Sequence, residues 1–240
     1  MIRQKNVLIN VLNQGTLCTE LVKVLTTIIQ QDGMRIGLEF PMGKPITNNR
    51  NTIVQKFLAR KEYDYLMMID SDIVPPPNIL KLLDFQKDII TPLMFVMQKG
   101  QMLPLYLKMA LDGQYDFSRD YIKKDGIQEV DATGTGCIIL SRKVLEAVKH
   151  PFRNEYDSDG IKRLGNDLSF CKRAKELGFK IHIHLDYIAG HHTTTDLRDL
   201  HYLLLQKENV ENELYKIRKA ISPNKLDKIL NSPEQSAISK

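Results

Sequence analysis

The sequence has few cysteines, no long apolar run and no dense cluster of basic residues. Its three cysteines, Cys18, Cys137 and Cys171, are odd in number and lack C-x-x-C spacing, which predicts free thiols rather than disulfides or a zinc site. No segment approaches the roughly 18 consecutive apolar residues that a membrane span needs. The first residues lead into only a short apolar run, which is not typical of a signal peptide. These absences predict a cytoplasmic protein in a reducing compartment.

The composition is that of an ordinary globular protein. Hydrophobic residues make up 42% and charged residues 26% of the 240 residues, which is enough chain for one α/β domain with its own core. The formal net charge of +5 suits a phosphorylated ligand or an anionic acceptor. It is too small to establish nucleic-acid binding.

Apolar runs and helical patterns alternate along the first part of the chain. Residues 7–12 form a β-branched run, a helical pattern begins near Thr19, and residues 34–40 supply a second strand that Pro41 stops. This order predicts a βαβ unit with parallel strands. Short strands and Gly-containing turns between residues 103 and 126 predict a small antiparallel piece. We therefore predict an α/β fold with a mainly parallel central sheet flanked by helices.

The segment Tyr65–Asp72 carries the strongest functional signal. Its apolar run predicts a strand buried on both faces, and the strand ends in the carboxylates of Asp70 and Asp72, separated by Ser71. The carboxyl ends of strands are where open α/β sheets bind ligands. Two acids there repel each other and resist burial unless a cation or hydrogen-bond donors neutralise them. A divalent metal that holds a phosphorylated ligand meets this need.

Two further segments allow more than one interpretation. Arg50 lies at the start of a predicted helix, where free N–H groups and its guanidinium suit a diphosphate; an Asn cap followed by an exposed Arg is the alternative. Gly134-Thr135-Gly136 leads into an apolar strand, which excludes a dinucleotide-binding loop because that loop opens a helix. These glycines either allow close strand packing or form the floor under a ligand.

The later part of the chain offers an acid, a histidine and a loop. Asp167 opens a predicted helix, where an Asp is commonly only a cap, and His191 lies in a loop after a strand. Residues 151–163 are polar and are predicted to form a mostly irregular, mobile loop. From residue 197 an amphipathic helix is predicted, and residues 232–240 are expected to form a frayed terminus.

In this order the segments resemble a GT-A glycosyltransferase, the fold of glycosyltransferase family 2 and related enzymes. The resemblance covers approximately Val7 to Thr194. One departure is Asn166, where Glu is common, and this leaves Asp167 as the lone candidate base. The matching motifs are the D-x-D sequence Asp70-Ser71-Asp72, the pair Arg50-Asn51, the stretch Gly134-Thr135-Gly136, Asp167 with Phe170-Cys171 and Arg173-Ala174 after it, and the late histidine His191.

The resemblance implies a metal-dependent site. Asp70, Asp72 and His191 are expected to bind Mn²⁺ or Mg²⁺, and the imidazole favours Mn²⁺; Asp70 has the donor sugar as an alternative partner. The resemblance also implies a nucleotide-diphosphate sugar as the donor, with uridine as the family's usual base. Its expected contacts are Arg50, Asn51, Asp70, Ser71, Gly134 and Gly136.

The implied reaction is transfer of the sugar to a hydroxyl acceptor, by inverting displacement with Asp167 as general base. A retaining enzyme of the same fold is an alternative. A sugar-nucleotide nucleotidyltransferase is another, although Asn13-Gln14-Gly15 lacks the Gly-rich, basic loop that such enzymes usually need. A catalytically silent sugar-nucleotide-binding module is the third, and the intact acids and His191 argue against it.

The acceptor and the assembly stay open. A glycan, a protein, a lipid-linked sugar and a modified nucleic acid all agree with the composition. We expect residues 1–195 to form the GT-A domain and residues 196–240 to form the amphipathic helix and tail. That helix is expected to pack on the domain or on another subunit, which makes a homo-oligomer possible.

Overall fold

The computed structural model describes residues 5–43, 45–98, 101–194 and 197–220, with the side chains of Leu197, Asp199, Tyr202 and residues 214–220 left out. The predicted terminus at residues 232–240 lies outside the described residues. Within the described part, no helix combines the length and apolar character that crossing a bilayer requires.

The chain contains five α-helices and two 3₁₀-helices in its described part. The α-helices are α1 (Thr19–Ile28), α2 (Ile46–Ala59), α3 (Arg142–Ala147), α4 (Asn166–Glu176) and α5 (Leu197–Ala220), and the 3₁₀-helices are Ile79–Phe85 and Asp120–Lys123. The strands are β1 (Asn6–Leu12), β2 (Arg35–Glu39), β3 (Tyr65–Asp70), β4 (Ile73–Val74), β5 (Ile89–Leu93), β6 (Phe95–Gln98), β7 (Gln101–Pro104), β8 (Leu107–Met109), β9 (Tyr115–Phe117), β10 (Ile127–Val130), β11 (Cys137–Ser141), β12 (Glu155–Tyr156), β13 (Lys162–Leu164), β14 (Ile181–Ile188) and β15 (Gly190–His191).

A seven-stranded sheet forms the centre of the fold, in the order β10-β14-β5-β11-β3-β1-β2. β1 pairs in parallel with β2 and β3, and β14 pairs in parallel with β5. β11 lies antiparallel between β3 and β5, and β10 lies antiparallel at one edge. Five of the seven strands therefore point the same way. The predicted α/β class and mainly parallel sheet are confirmed, as are small antiparallel sheets such as β8–β9.

Alternating residues of β3 explain why the sheet is covered on both faces. Leu66 and Met68 belong to a core shared with α2, α3 and α4. Met67 and Ile69 belong to a second core with α1 and the first 3₁₀-helix. A strand whose two faces are both buried has to be apolar at every position, as this one is before its final aspartate.

Pro92 predicts an edge or bulged position for its strand, because proline cannot donate a ladder hydrogen bond. The structure places β5 centrally, between β14 and β11, with an irregular register beside Pro92, so the edge position is wrong and the bulged position is confirmed. The pairing with β11 involves only Ile89 and Ile90, and the register with β14 shifts between His184 and Ile188. The sheet thus accommodates Pro92 by ending one ladder before it.

The segment predicted as an irregular loop over residues 151–163 contains a β-hairpin, β12 with β13. Asp157 organises its turn, because its side chain accepts hydrogen bonds from the backbone N–H groups of Asp159 and Ile161 at 3.0 and 2.8 Å. Sequence patterning missed the hairpin because each strand has only two or three residues.

Residue contacts divide the chain into two compact units. One comprises Met1–Val96 with Met102–Thr193, and the other Met97–Gln101 with Thr194–Lys240. In the second unit, the exposed apolar side chains among those described on α5 include Leu200, Leu204, Leu205 and Val210. The predicted domain division and the oligomer through this helix stay predictions.

Arg142 stabilises the other end of the sheet, at the amino end of β3. Its guanidinium donates to the carbonyls of Phe57, Leu58, Arg60 and Tyr63 at 2.7–3.3 Å, and it lies over the Phe57 ring at 4.4 Å. Carbonyl groups at a helix C-terminus otherwise lack partners. Arg142 therefore ties α3 to the end of α2.

We predict that Arg142→Lys lowers the free energy of unfolding by about 2–3 kcal/mol, because a lysine cannot reproduce the planar fork of donors. Urea denaturation monitored by circular dichroism measures this change. The exposed neighbour Lys143 serves as the control, and Lys143→Ala should cost less than about 0.5 kcal/mol. Equal losses in the two variants would contradict the capping role.

Candidate active site

The two acids of the D-x-D sequence lie at the carboxyl end of β3 in different environments. Asp70 is partly buried, with 26% of its side chain exposed, whereas the side chain of Asp72 is 52% exposed. The backbone N–H of Asp70 donates to the carbonyl of Gly136 at 2.8 Å. The antiparallel strand β11 thus begins beside the end of β3 and helps fix the position of Asp70.

Arg50 forms ion pairs with two of the predicted acids, Asp70 and Asp167. Its Nη2 donates to both carboxylate oxygens of Asp70 at 3.1 and 2.9 Å, and its Nη1 donates to Asp167 Oδ1 at 2.6 Å. Nη1 also donates to the amide oxygen of Asn166 at 2.6 Å. Arg50 itself is only 3% exposed. The terminal nitrogens of the guanidinium thus bond to protein oxygens, and the contact of Arg50 with a diphosphate stays a prediction.

Burial is the largest influence on Asp70. It raises the pKa of the Asp70 carboxyl above its ordinary value, although the charge and hydrogen bonds of Arg50 act in the opposite direction. The neighbouring charges of Asp167 and Asp72 raise this pKa further. The site therefore concentrates negative charge that one guanidinium does not fully offset.

Asp167 lies in the first turn of α4, but it is not the cap of that helix. Gly165 occupies the N-cap position and makes no side-chain capping bond. The Asp167 side chain instead accepts at Oδ1 from Arg50 and from the Thr135 hydroxyl, each at 2.6 Å. Among the described residues, all these bonds end on Oδ1. They hold the carboxylate in one orientation and leave Oδ2 available to a ligand.

His191 lies next to Asp72 because two short strands pair. β15 is antiparallel to β4, with His191 opposite Ile73. The imidazole Nδ1 is 2.8 Å from the carbonyl of Phe95, and since a carbonyl only accepts, Nδ1 carries the proton. The other nitrogen, Nε2, faces Asp72 Oδ2 at 3.5 Å.

This pair fits a divalent cation. In a neutral imidazole with a proton on Nδ1, Nε2 presents a lone pair. A backbone carbonyl that accepts from Nδ1 is a common way to orient a metal-binding histidine. Two ligands of an octahedral ion lie about 3 Å apart when their bonds are about 2.1 Å long. The separation of 3.5 Å is close to this value. The geometry of Asp72 and His191 is thus compatible with a divalent cation, and the predicted metal site of Asp70, Asp72 and His191 stays a prediction.

Asn51 bonds to Phe152, whose ring lies near Arg50. Its amide donates to the carbonyl of Phe152 at 2.6 Å and accepts from the N–H of the same residue at 3.1 Å. The Phe152 ring in turn lies 5.7 Å from the Arg50 guanidinium. Asn51 therefore positions Phe152 beside Arg50, and its contact with the donor stays a prediction.

Gly134 and Gly136 lie where the protein itself leaves little room for a side chain. A Cβ at Gly134 would lie 2.5 Å from Leu105 Cδ1, and one at Gly136 would lie 3.1 Å from Ile73 Cγ1 and 3.5 Å from Asp70 Oδ2. These contacts favour the close-packing interpretation. That Gly134 and Gly136 also contact a donor stays a prediction.

Two clefts lie near these residues. A pocket of about 140 Å³ at the ends of β1 and β3 is lined by Asp70, Ser71 and Asp72 together with Asn13 and Asn49, among others. A wider pocket of about 960 Å³ lies along α4, whose Leu168 lines it, between the β8–β9 and β12–β13 hairpins. Asp167 precedes Leu168, so the proposed base lies at the start of the helix that borders the wide pocket.

Sequence patterning missed Thr135 and Asn166 as members of this network. Thr135 lies between two glycines, which are the more conspicuous residues of that stretch. Asn166 stands where the motif commonly has Glu. The sequence did carry a signal for these two residues. Polar side chains lie next to Asp167 and in the glycine stretch, and both segments lie near the end of β3.

The fold is that of a GT-A-like α/β protein, as predicted. No family model and no curated protein matches the sequence. Among solved structures, A197 from STIV is similar with a TM-score of 0.52 and 17% identity, over 79% of this chain and 86% of that chain. GalNAc-T7, solved with UDP, GalNAc and Mn²⁺, is similar with a TM-score of 0.52 and 10% identity, over 80% of this chain and 44% of that chain. These likenesses establish the fold.

The raised pKa of Asp70 predicts a pH dependence of stability. The folded state holds the Asp70 proton to higher pH than the unfolded state, so Asp70 contributes stability that is lost as the pH rises from about 4 through the folded pKa. The stability of the wild type relative to Asp70→Asn should therefore fall between about pH 4 and about pH 7.

Urea denaturation of both proteins at the two pH values measures this difference. Asp116→Asn, which removes an exposed acid on β9, is the surface control. A relative stability of the wild type that rises with pH would show that the bonds from Arg50 outweigh the burial of Asp70.

Proposed function

We propose that this protein is a metal-dependent glycosyltransferase that moves a sugar from a nucleotide-diphosphate sugar, with a UDP-sugar as the first donor to test, to a hydroxyl acceptor. The observation that carries the proposal is the arrangement around Arg50. One buried guanidinium links Asp70 to Asp167, and Asp72, two residues after Asp70, has its carboxylate 3.5 Å from His191 Nε2. This arrangement supports a metal held by Asp72 and His191 and a base at Asp167.

Asp72 and His191 are assigned to the metal, and Asp70 is assigned to organising the site. Arg50 bonds to both oxygens of Asp70, whereas Asp72 has its carboxylate exposed toward His191. A bound Mn²⁺ or Mg²⁺ would stabilise the negative charge that develops on the leaving diphosphate. The donor is expected in the cleft beside Ser71, at the carboxyl ends of the strands.

Asp167 is assigned the role of general base. Arg50 and Thr135 fix Oδ1, so Oδ2 is the atom that would take the proton from the acceptor hydroxyl. The oxygen of that hydroxyl would then attack the anomeric carbon as the bond to the diphosphate breaks. Direct displacement of this kind inverts the anomeric centre.

The wide pocket along α4 is assigned to the acceptor. Three of its four lining cations are ion-paired within the protein: Arg163 with Asp157, Lys172 with Glu155, and Lys175 with Asp131. Paired cations offer hydrogen bonds but little free positive charge. These pairs favour a neutral, hydroxyl-rich acceptor such as a glycan over a polyanion.

We predict that Asp72→Asn abolishes metal-dependent donor turnover while the protein stays folded, because it removes the exposed carboxylate beside His191. Release of sugar from a panel of nucleotide sugars, with Mn²⁺, with Mg²⁺ or with EDTA, measures the loss. The panel is run with neutral and phosphorylated acceptors, and Asp116→Asn is the matched control. Full activity of Asp72→Asn, or of the wild type in EDTA, would contradict the metal assignment.

We predict that Asp167→Asn reduces the transfer rate by roughly 10²–10⁴-fold, the usual contribution of a general base. Asn166→Ala is the matched control, because it removes one bond to Arg50 and leaves the Asp167 carboxylate in place; its loss should be less than about tenfold. Transfer rates and donor affinity are measured for both variants. An unchanged rate in Asp167→Asn would limit Asp167 to holding Arg50.

A further inference from the structure

Three side chains with metal-ligating atoms meet next to the D-x-D segment, outside the site described above. The ligand atoms of Cys18, Glu20 and His192 all lie within 4.8 Å of one another. Two come from the start of α1 and one from the residue after β15. The cluster therefore joins segments that are about 170 residues apart in the chain.

The backbone holds two of these residues in place. The N–H of Cys18 donates to the carbonyl of Ser71 at 3.4 Å, and the N–H of His192 donates to the carbonyl of Asp72 at 2.8 Å. Cys18 and His192 are thus attached to successive residues of the D-x-D segment. Their proximity follows from main-chain contacts as well as from side-chain conformation.

The three cysteines differ in ways that single out Cys18. Cys137 and Cys171 are fully buried, and burial raises the pKa of both thiols, that of Cys171 to about 12. Cys18 is only half-buried. All three are free thiols, as predicted, but Cys18 is the one with a histidine and a carboxylate at its sulfur.

We propose that Cys18, Glu20 and His192 bind a Zn²⁺ ion at a site separate from the pair Asp72 and His191. Sulfur, nitrogen and oxygen ligands together suit Zn²⁺, whereas the hard oxygen ligands preferred by Mg²⁺ are in the minority here. Ligands of a tetrahedral zinc ion lie about 3.5 Å apart, given bonds of about 2.0–2.3 Å. Since Glu20 and His192 are exposed, changes of their side-chain rotamers can close the cluster around the ion.

Three protein ligands leave the fourth tetrahedral position to a water molecule. The ion would connect the start of α1 to the segment after β15, and both of these contact the D-x-D backbone. We therefore assign the site a positioning role for Asp72 and His191. Binding of Zn²⁺ by these three residues does not depend on the proposed glycosyl transfer.

Co²⁺ is the spectroscopic probe for this site, because cobalt bound to a thiolate absorbs in the near ultraviolet. Titration of the full chain, after EDTA treatment and under reducing conditions, should give this charge-transfer band with one Co²⁺ per chain. Excess Zn²⁺ should remove the band by displacing Co²⁺. The band should be absent in Cys18→Ser, and the Zn²⁺ affinity of Cys18→Ser and His192→Ala should fall at least tenfold.

The variants are chosen so that loss of folding does not imitate loss of the site. Serine is a favoured N-cap, so Cys18→Ser suits the start of α1, and circular dichroism verifies its fold. His150→Asn is the histidine control, because asparagine tolerates the left-handed backbone there, with φ of 46°. Asp72→Asn should keep the band, which separates this proposal from the catalytic metal. A wild type without the band, or a band that persists in Cys18→Ser, would overturn the zinc site.

Discussion

The burial of one positive charge between two negative charges is the constraint on which the site depends. Arg50 comes from α2, Asp70 from β3 and Asp167 from α4, so a single guanidinium joins three elements at the carboxyl edge of the sheet. Leaving a buried charge without its partner costs several kcal/mol. Because Arg50 is almost completely buried, the three elements must meet in this geometry for the fold to keep its charges paired.

The antiparallel strand β11 provides the other part of this geometry. It is antiparallel to β3, so the amino end of β11 lies beside the carboxyl end of β3. Gly136 thereby meets Asp70, and Thr135 meets Asp167. The glycines beside Thr135 allow the close approach, since Leu105, Ile73 and Asp70 occupy the space that side chains would need.

The sequence predicted the parts of the site that local pattern determines. The apolar run before Asp70 predicted a doubly covered strand, and the position of Asp167 predicted the start of a helix; both are present. It did not predict that Arg50 points inward, because a residue type defines a charge but not its direction. It also did not predict the central position of β5 with Pro92, which depends on where a distant strand stops pairing.

The two ends of the strands in the central sheet carry different kinds of interaction. Residues at the carboxyl end of β3 carry the paired charges of the candidate site, while Arg142 connects helices at the opposite end through backbone carbonyls. The exposed side chain of Lys143 follows Arg142 at that opposite end. A fluorescent label attached there would report on this protein. A surface tether attached there would immobilise it with the carboxyl end of β3 facing the solution.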